Sequence, residues 1–202
     1  MSMGESSHFK KIADIPEYRN IRDEVLRYEQ HSPWELTRSE HKEQQHTQNI
    51  SLRIWRYKRD MWLDTSSPVD HLKKNTYPHF KKTHRVMEDF AKHVGGTLSC
   101  AMIVSLLPHK QVYPHVDGGP YYKKRDRYHL VLLSSGSRMR SGGEEALFRE
   151  GELWWFDNKT EHEAFNESDE RRIHLIFDIL PGRSVLSRLR QFFEKVVADN
   201  EQ

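Results

Sequence analysis

Beyond Gly95-Gly96 the chain breaks into short apolar runs at even spacing, each bounded by turn residues. The runs cover 98–107, 111–116, 128–134, 144–149, 151–156, 161–166 and 172–180. Strands this short and this regularly spaced close into a barrel or sandwich, because no helical stretch is left between them to make parallel crossovers. Pro181-Gly182 ends the series. The spacing predicts a mainly β fold with flanking helices, a double-stranded β-helix or jelly roll of seven or eight strands over 97–181.

The flanks read differently. In 15–30, Pro16 suits a first helical turn and Ile21, Val25, Leu26 and Tyr28 give a partial apolar face. In 79–94, Phe80, Val86, Met87, Phe90, Ala91 and Val94 recur at three- and four-residue steps until the glycine pair stops them. Between these lies an alternating strand at 50–57 and a polar tract, Glu40-His41-Lys42-Glu43-Gln44-Gln45-His46, read as a solvated loop. Val185, Leu186, Leu189, Phe192, Phe193, Val196 and Val197 predict a last amphipathic helix. The expectation is one domain over 1–202. Residues 1–96 form a mainly helical part with one or two strands, 97–181 the β core, and 183–202 a C-terminal helix.

Several functional classes are disfavoured by composition. A net charge of +2 on 202 residues is no footprint of a dedicated nucleic-acid binder. The single cysteine, Cys100, sits in an apolar run and excludes an internal disulfide, which suits a reducing compartment. No apolar run is long enough to span a membrane, and residues 1–7 lack the regions of a secretory signal. A cytoplasmic location is expected.

The chemistry-bearing stretch is Tyr113-Pro114-His115-Val116-Asp117-Gly118-Gly119. On extended backbone His115 and Asp117 point to one side and can grip one metal ion. Spacing alone is weak evidence: 13 His and 12 Asp in 202 residues give roughly 0.8 His-x-Asp pairs by chance. Context carries the argument. The pair ends an apolar strand and precedes two glycines, where backbone can approach a ligand closely. His162 follows the turn Asp157-Asn158-Lys159-Thr160 and can open the next strand as a third ligand. On the strand from Arg172, residues Arg172, His174 and Ile176 share a face and Arg171 takes the other. A lone arginine near a metal suits a bound carboxylate. Arg127 and His129 share a face of their own strand and can add polar anchors.

These stretches together resemble the aspartyl/asparaginyl β-hydroxylase family of iron(II)- and 2-oxoglutarate-dependent dioxygenases. The resemblance runs from Pro108 to Asp178. It rests on Val112-Tyr113-Pro114-His115-x-Asp117, Arg127-Tyr128-His129-Leu130, Gly151-Glu152-Leu153-Trp154-Trp155-Phe156-Asp157, His162-Glu163-Ala164-Phe165-Asn166 and Arg171-Arg172-Ile173-His174-Leu175. It implies iron(II) held by His115, Asp117 and His162, with 2-oxoglutarate and O2 as cosubstrates. It implies Arg172 on the distal carboxylate of 2-oxoglutarate, with Arg127 and His129 as further contacts, and no catalytic residue beyond the metal ligands. The expected reaction is hydroxylation of an unactivated C–H bond of an amino acid or a peptidyl Asp/Asn-like residue, with succinate and CO2 released. The substrate would be a small molecule or peptide. Two departures stand out. A longer basic loop, 121–126, precedes Arg127, and Val104 occupies the place of a family serine, with Ser105 adjacent. The competing readings are a non-catalytic cupin-like protein that binds a metal or small ligand and, ranked last, a nucleic-acid-modifying oxygenase.

Overall fold

Alternation of side chains across extended backbone sets this architecture. A computed structural model describes residues 8–56 and 69–182. The elements are β1 (Phe9–Asp14), α1 (Tyr18–Glu29), β2 (Thr47–Arg56), β3 (Val69–Leu72), α2 (Lys81–His93), β4 (Thr97–Leu106), β5 (Lys110–His115) and α3 (Pro120–Lys123). They continue with β6 (Asp126–Leu133), β7 (Ser137–Ser141), β8 (Glu144–Phe148), β9 (Glu152–Phe156), β10 (His162–Asn166) and β11 (Arg172–Leu180). A seven-stranded sheet runs β1-β9-β6-β11-β4-β2-β3, and a four-stranded sheet runs β5-β10-β7-β8. All pairings are antiparallel, and from β4 onward the chain passes back and forth between the sheets, staying within one only from β7 to β8. This is the expected mainly β jelly roll.

The region before Gly96 differs from expectation. It supplies three strands to the large sheet rather than one or two. β1 escapes a sequence reading because its register shifts between Lys11 and Ala13, which breaks its alternation. β7 escapes because its inward positions are Ser137, Met139 and Ser141, small or flexible rather than β-branched, while Arg138 and Arg140 face outward. The helix expected over 183–202 lies outside the described residues.

Two apolar clusters divide the molecule. One lies between the large sheet and the helices, built from Ile21 and Val25 of α1, Met87 and Ala91 of α2, and Ile103, Leu130, Leu132, Leu175 and Phe177 of the strands. The other sits between the two sheets and includes Phe9, Leu106, Val131, Met139, Phe148 and Phe156. Each fully buried large side chain contributes about 1.5–3 kcal/mol. Neither helix begins with a side-chain cap of its own. The start of α2 is capped instead from α1: the Glu24 carboxylate accepts from the Lys82 and Thr83 backbone N–H groups at 2.9 and 3.0 Å and from the Thr83 hydroxyl at 2.7 Å. At the other end Gly95 takes a left-handed φ of 66°, and Gly96 N–H closes onto Ala91 O at 2.8 Å.

Candidate metal centre

His115 ends β5 and His162 opens β10, and the two are direct cross-strand partners. Their rings lie 4.3 Å apart between centroids. Asp117 follows on a loop fixed to the turn before β10, its backbone N–H donating to Asn158 O at 3.0 Å. One ligand atom from each of His115, Asp117 and His162 lies within 4.8 Å of the others. That is the span of three donors on one face of a first-row metal ion. The fold therefore brings the three together as expected.

The donor atoms are also oriented. His115 Nδ1 lies 2.8 Å from Tyr113 O and His162 Nδ1 lies 3.0 Å from Thr160 O. With Nδ1–H donating to a carbonyl, Nε2 keeps its lone pair for a metal. Burial lowers the His162 pKa to about 4, so this ring is neutral and ready to ligate at neutral pH. Asp117 Oδ2 accepts from Arg127 Nη1 at 2.5 Å and from Asn158 Nδ2 at 2.9 Å, which leaves Oδ1 for coordination. Burial alone would raise the Asp117 pKa; the Arg127 charge, His162 and the Asn158 hydrogen bond outweigh it and hold the carboxyl ionised.

Arg127 has a different place from the one the resemblance implies. Its Nε and Nη2 donate to both oxygens of Asp178, directly across β6 and β11, at 2.8 and 3.0 Å, while Nη1 holds Asp117. Burial would weaken its hold on the proton, but Asp117 and Asp178 raise its pKa well above the ordinary value. Each of its nitrogens is committed to a carboxylate. What it does in this geometry is position Asp117.

Behind the triad lies a narrow cavity lined by Arg172, His129, Met139, Val104, Thr47 and Ile176 among others. Arg172 lines it and has no carboxylate partner among the described residues. It donates from Nε to His174 Nε2 at 3.1 Å and from Nη2 to Met139 Sδ at 3.3 Å. Burial and the charge of Arg38 lower its pKa to about 9. Arg172 Nη2 also stands 3.0 Å from His174 Nδ1, which lies 3.3 Å from His129 Nδ1. His129 Nε2 is a buried atom without a hydrogen-bond partner among the described residues. Burial, then the Arg172 and Arg127 charges, push the His129 pKa well below its usual value. Arg171 takes the opposite face, bound to Glu29 at 2.6 Å beside Trp34. Val104 lines the cavity and Ser105, one step on, does not; its hydroxyl is buried without a partner.

In front of the triad lies an open cleft of about 610 Å³, lined by Thr37, Arg38, His41, Glu43, Gln44, Val116, Gly118 and Tyr122. The polar tract read as a solvated loop is thus one wall of the site. Gln44 Nε2 stands 3.5 Å from His115 Nε2. The basic loop is not a simple solvated face either: Arg125 is buried, donating to Ser99 Oγ at 2.9 Å and Tyr121 O at 3.2 Å. Arg38, Gln44, Asn158 and Asp178 are site residues that sequence reasoning misses. Only Asp178 leaves a signal, since it falls on the Arg172 face of its strand at an even step.

Residues 16–181 match the aspartyl/asparaginyl beta-hydroxylase family. Curated proteins give no match to the sequence. Solved structures do match the fold. A 2OG-Fe(II) oxygenase family oxidoreductase from Burkholderia pseudomallei aligns with TM-score 0.56 at 12% identity, covering 79% of this chain and 77% of its own. A Pseudomonas putida prolyl-4-hydroxylase aligns with TM-score 0.49 at 13% identity, covering 87% and 94% respectively. A viral collagen prolyl hydroxylase from Paramecium Bursaria Chlorella virus-1 aligns with TM-score 0.45 at 13% identity, covering 86% and 96%. With most of its length inside one family match, the chain belongs to the aspartyl/asparaginyl β-hydroxylase family of iron(II)- and 2-oxoglutarate-dependent dioxygenases.

Proposed function

We propose that this enzyme hydroxylates an unactivated C–H bond of an amino acid or a peptidyl Asp/Asn-like residue, consuming 2-oxoglutarate and O2 and releasing succinate and CO2. The observation that carries the reading is one wall of polar groups prepared for absent charge. Three convergent ligand atoms stand beside a buried, unpaired Arg172 and an orphaned His129 Nε2. Buried polar groups are normally satisfied, so orphans that line a cavity beside three convergent metal-ligand atoms support a ligand there.

The residues fit the cofactors the family uses. His115 Nε2, His162 Nε2 and Asp117 Oδ1 would hold iron(II), with Arg127 and Asn158 fixing the carboxylate. Two imidazoles and a carboxylate on one face leave coordination positions open for the cosubstrates. Arg172 would pair with the far carboxylate of 2-oxoglutarate, and His129 Nε2–H would donate to it. Iron with 2-oxoglutarate supplies the O2 activation that no side chain can perform. This chain's part is to orient the ligands, neutralise the cosubstrate and line a cavity with Val104, Val112, Ile176 and Phe156 that limits water. Asp117 in the carboxylate position favours hydroxylation over halogenation, which needs that position for halide.

The test is iron(II) and 2-oxoglutarate binding together with succinate release over a panel of amino acids, peptides and nucleosides. Wild type should bind both and release succinate; His115→Ala should lose iron-dependent 2-oxoglutarate binding. Retained iron affinity in that variant would sink the site assignment. Metal binding without succinate under any condition would favour a non-catalytic binding protein.

A further inference from the structure

The proposed iron and 2-oxoglutarate site leaves one cation unexplained. Arg38 is partly buried where the inner cavity meets the outer cleft and lines both. Its backbone is pinned: Arg38 N–H donates to Asn49 Oδ1 at 3.3 Å, the same oxygen that accepts from Thr37 Oγ1 at 2.9 Å, and Asn49 pairs with Glu35. Its side chain has no carboxylate partner among the described residues. Nη1 meets only Met102 Sδ, at 3.2 Å, and Nε is buried with no partner among the described residues. Burial and the Arg127 charge lower its pKa to about 10. A guanidinium held beside two other arginines without a counter-ion is a costly arrangement for folding alone.

Charge balance shows what is missing. Arg127 with Asp117 and Asp178 carries a net −1. Iron(II) would add +2, 2-oxoglutarate −2 and Arg172 +1. The sum is zero before Arg38 is counted, so its charge stands over once metal and cosubstrate are in place. Glu163, at the rim, is already paired with Arg140 at 2.6 Å. Glu43 stands on the same wall as Arg38 and forms no ion pair with it among the described residues.

We propose that Arg38 anchors a carboxylate of the prime substrate, so that the enzyme acts on a small acid docked in the outer cleft. This rests on the iron and 2-oxoglutarate reading above and names the substrate class for it. Arg38 belongs to the segment that forms the cleft wall with Thr37, His41, Glu43 and Gln44, and it reaches toward the triad from the open side. A guanidinium with free N–H groups suits a carboxylate. Glu43 lines the same cleft, so acids that also carry an ammonium head the list.

The experiment uses full-length protein loaded with manganese(II), which binds without turnover. The first arm is calorimetric titration of 2-oxoglutarate into wild type, Arg38→Gln and Arg38→Lys. The second arm measures melting temperature and affinity for L-amino acids, their N-acetyl derivatives and the matching primary amides, each with 2-oxoglutarate present. The expected result is an acid that binds wild type about tenfold or more tightly than its amide. Arg38→Gln should lose that preference, Arg38→Lys should keep part of it, and 2-oxoglutarate affinity should change less than about threefold in either variant. Amides binding as well as acids, no binding by any acid, or an undiminished acid preference in Arg38→Gln would overturn the proposal. So would a loss of about tenfold or more in 2-oxoglutarate affinity in Arg38→Gln, which would move Arg38 to the cosubstrate seat. Wild type that binds neither manganese nor 2-oxoglutarate would defeat the underlying site reading, and that failure is seen in the first arm alone.

Discussion

β6 and β11 carry two unlike surfaces on the same backbone. On the helix side, Leu130, Leu132, Ile173, Leu175, Phe177 and Ile179 pack into one apolar cluster. On the barrel side, Arg127, His129, Arg172, His174 and Asp178 are buried just as deeply. The difference is satisfaction. The first face is built of apolar side chains that need no polar partner, whereas among the described residues the second leaves Arg172 without a counter-ion and His129 Nε2 without a partner. A sheet with period-two alternation can keep a stabilising face and a chemically expectant face one residue apart.

Substitutions on the two faces should separate stability from binding. The largest effect is expected for Phe177→Ala on the apolar side, a loss of about 3–5 kcal/mol in denaturant unfolding, with metal affinity unchanged in the protein that remains folded. A drop in metal affinity there would show that the faces are not independent. Next is Arg127→Met, which strands Asp117 and Asp178. It should cost about 3 kcal/mol and also weaken metal binding about 10- to 100-fold by calorimetry. A stability loss with unaltered metal affinity would deny that Arg127 positions Asp117.

In the helix layer His84 on α2 is buried with both ring nitrogens lacking a hydrogen-bond partner among the described residues. Burial, then the Arg53 charge, lower its pKa to about 4. A base depressed in the folded state favours folding fully only above its unfolded pKa of about 6.5, and this contribution is lost as pH falls toward 4. Between pH 7 and 5 wild type should therefore lose about 2 kcal/mol more than His84→Leu in paired urea titrations. Parallel pH profiles would remove His84 from the acid limb. The smallest effect on stability is expected for Arg172→Met. Removing an unpaired buried cation should stabilise the ligand-free protein by up to about 1 kcal/mol, while 2-oxoglutarate affinity falls about 100-fold. Destabilisation with intact cosubstrate binding would give Arg172 a purely structural place.

What is legible in the sequence follows the same division. Alternation over 172–180 is enough by itself to separate the inward Arg172 and His174 from the outward Arg171. The strand–turn punctuation places His115 and His162 near one another, and the structure makes them cross-strand partners. The misses have physical causes. β7 is a strand whose inward residues are small or flexible rather than β-branched, and the polar tract at 41–46 gives no sign that His41, Glu43 and Gln44 line a cleft. Arg38 leaves no trace at all. An isolated arginine in a polar segment gains meaning only when Asn49 pins its backbone and the fold brings it to Arg127 and Arg172.

The Glu24 cap has a consequence in time. The N–H groups at the start of α2 have no local acceptor side chain, and Glu24 must arrive from 58 and 59 residues away to serve them. An isolated segment of 13 residues without a cap is marginal as a helix in water. The first turn of α2 therefore consolidates when the two helices meet, and closing so long a loop is slow compared with forming a turn. The first turn of α2 is therefore expected to form together with the tertiary structure rather than ahead of it, as the long-range pairing of β1 with β9 must.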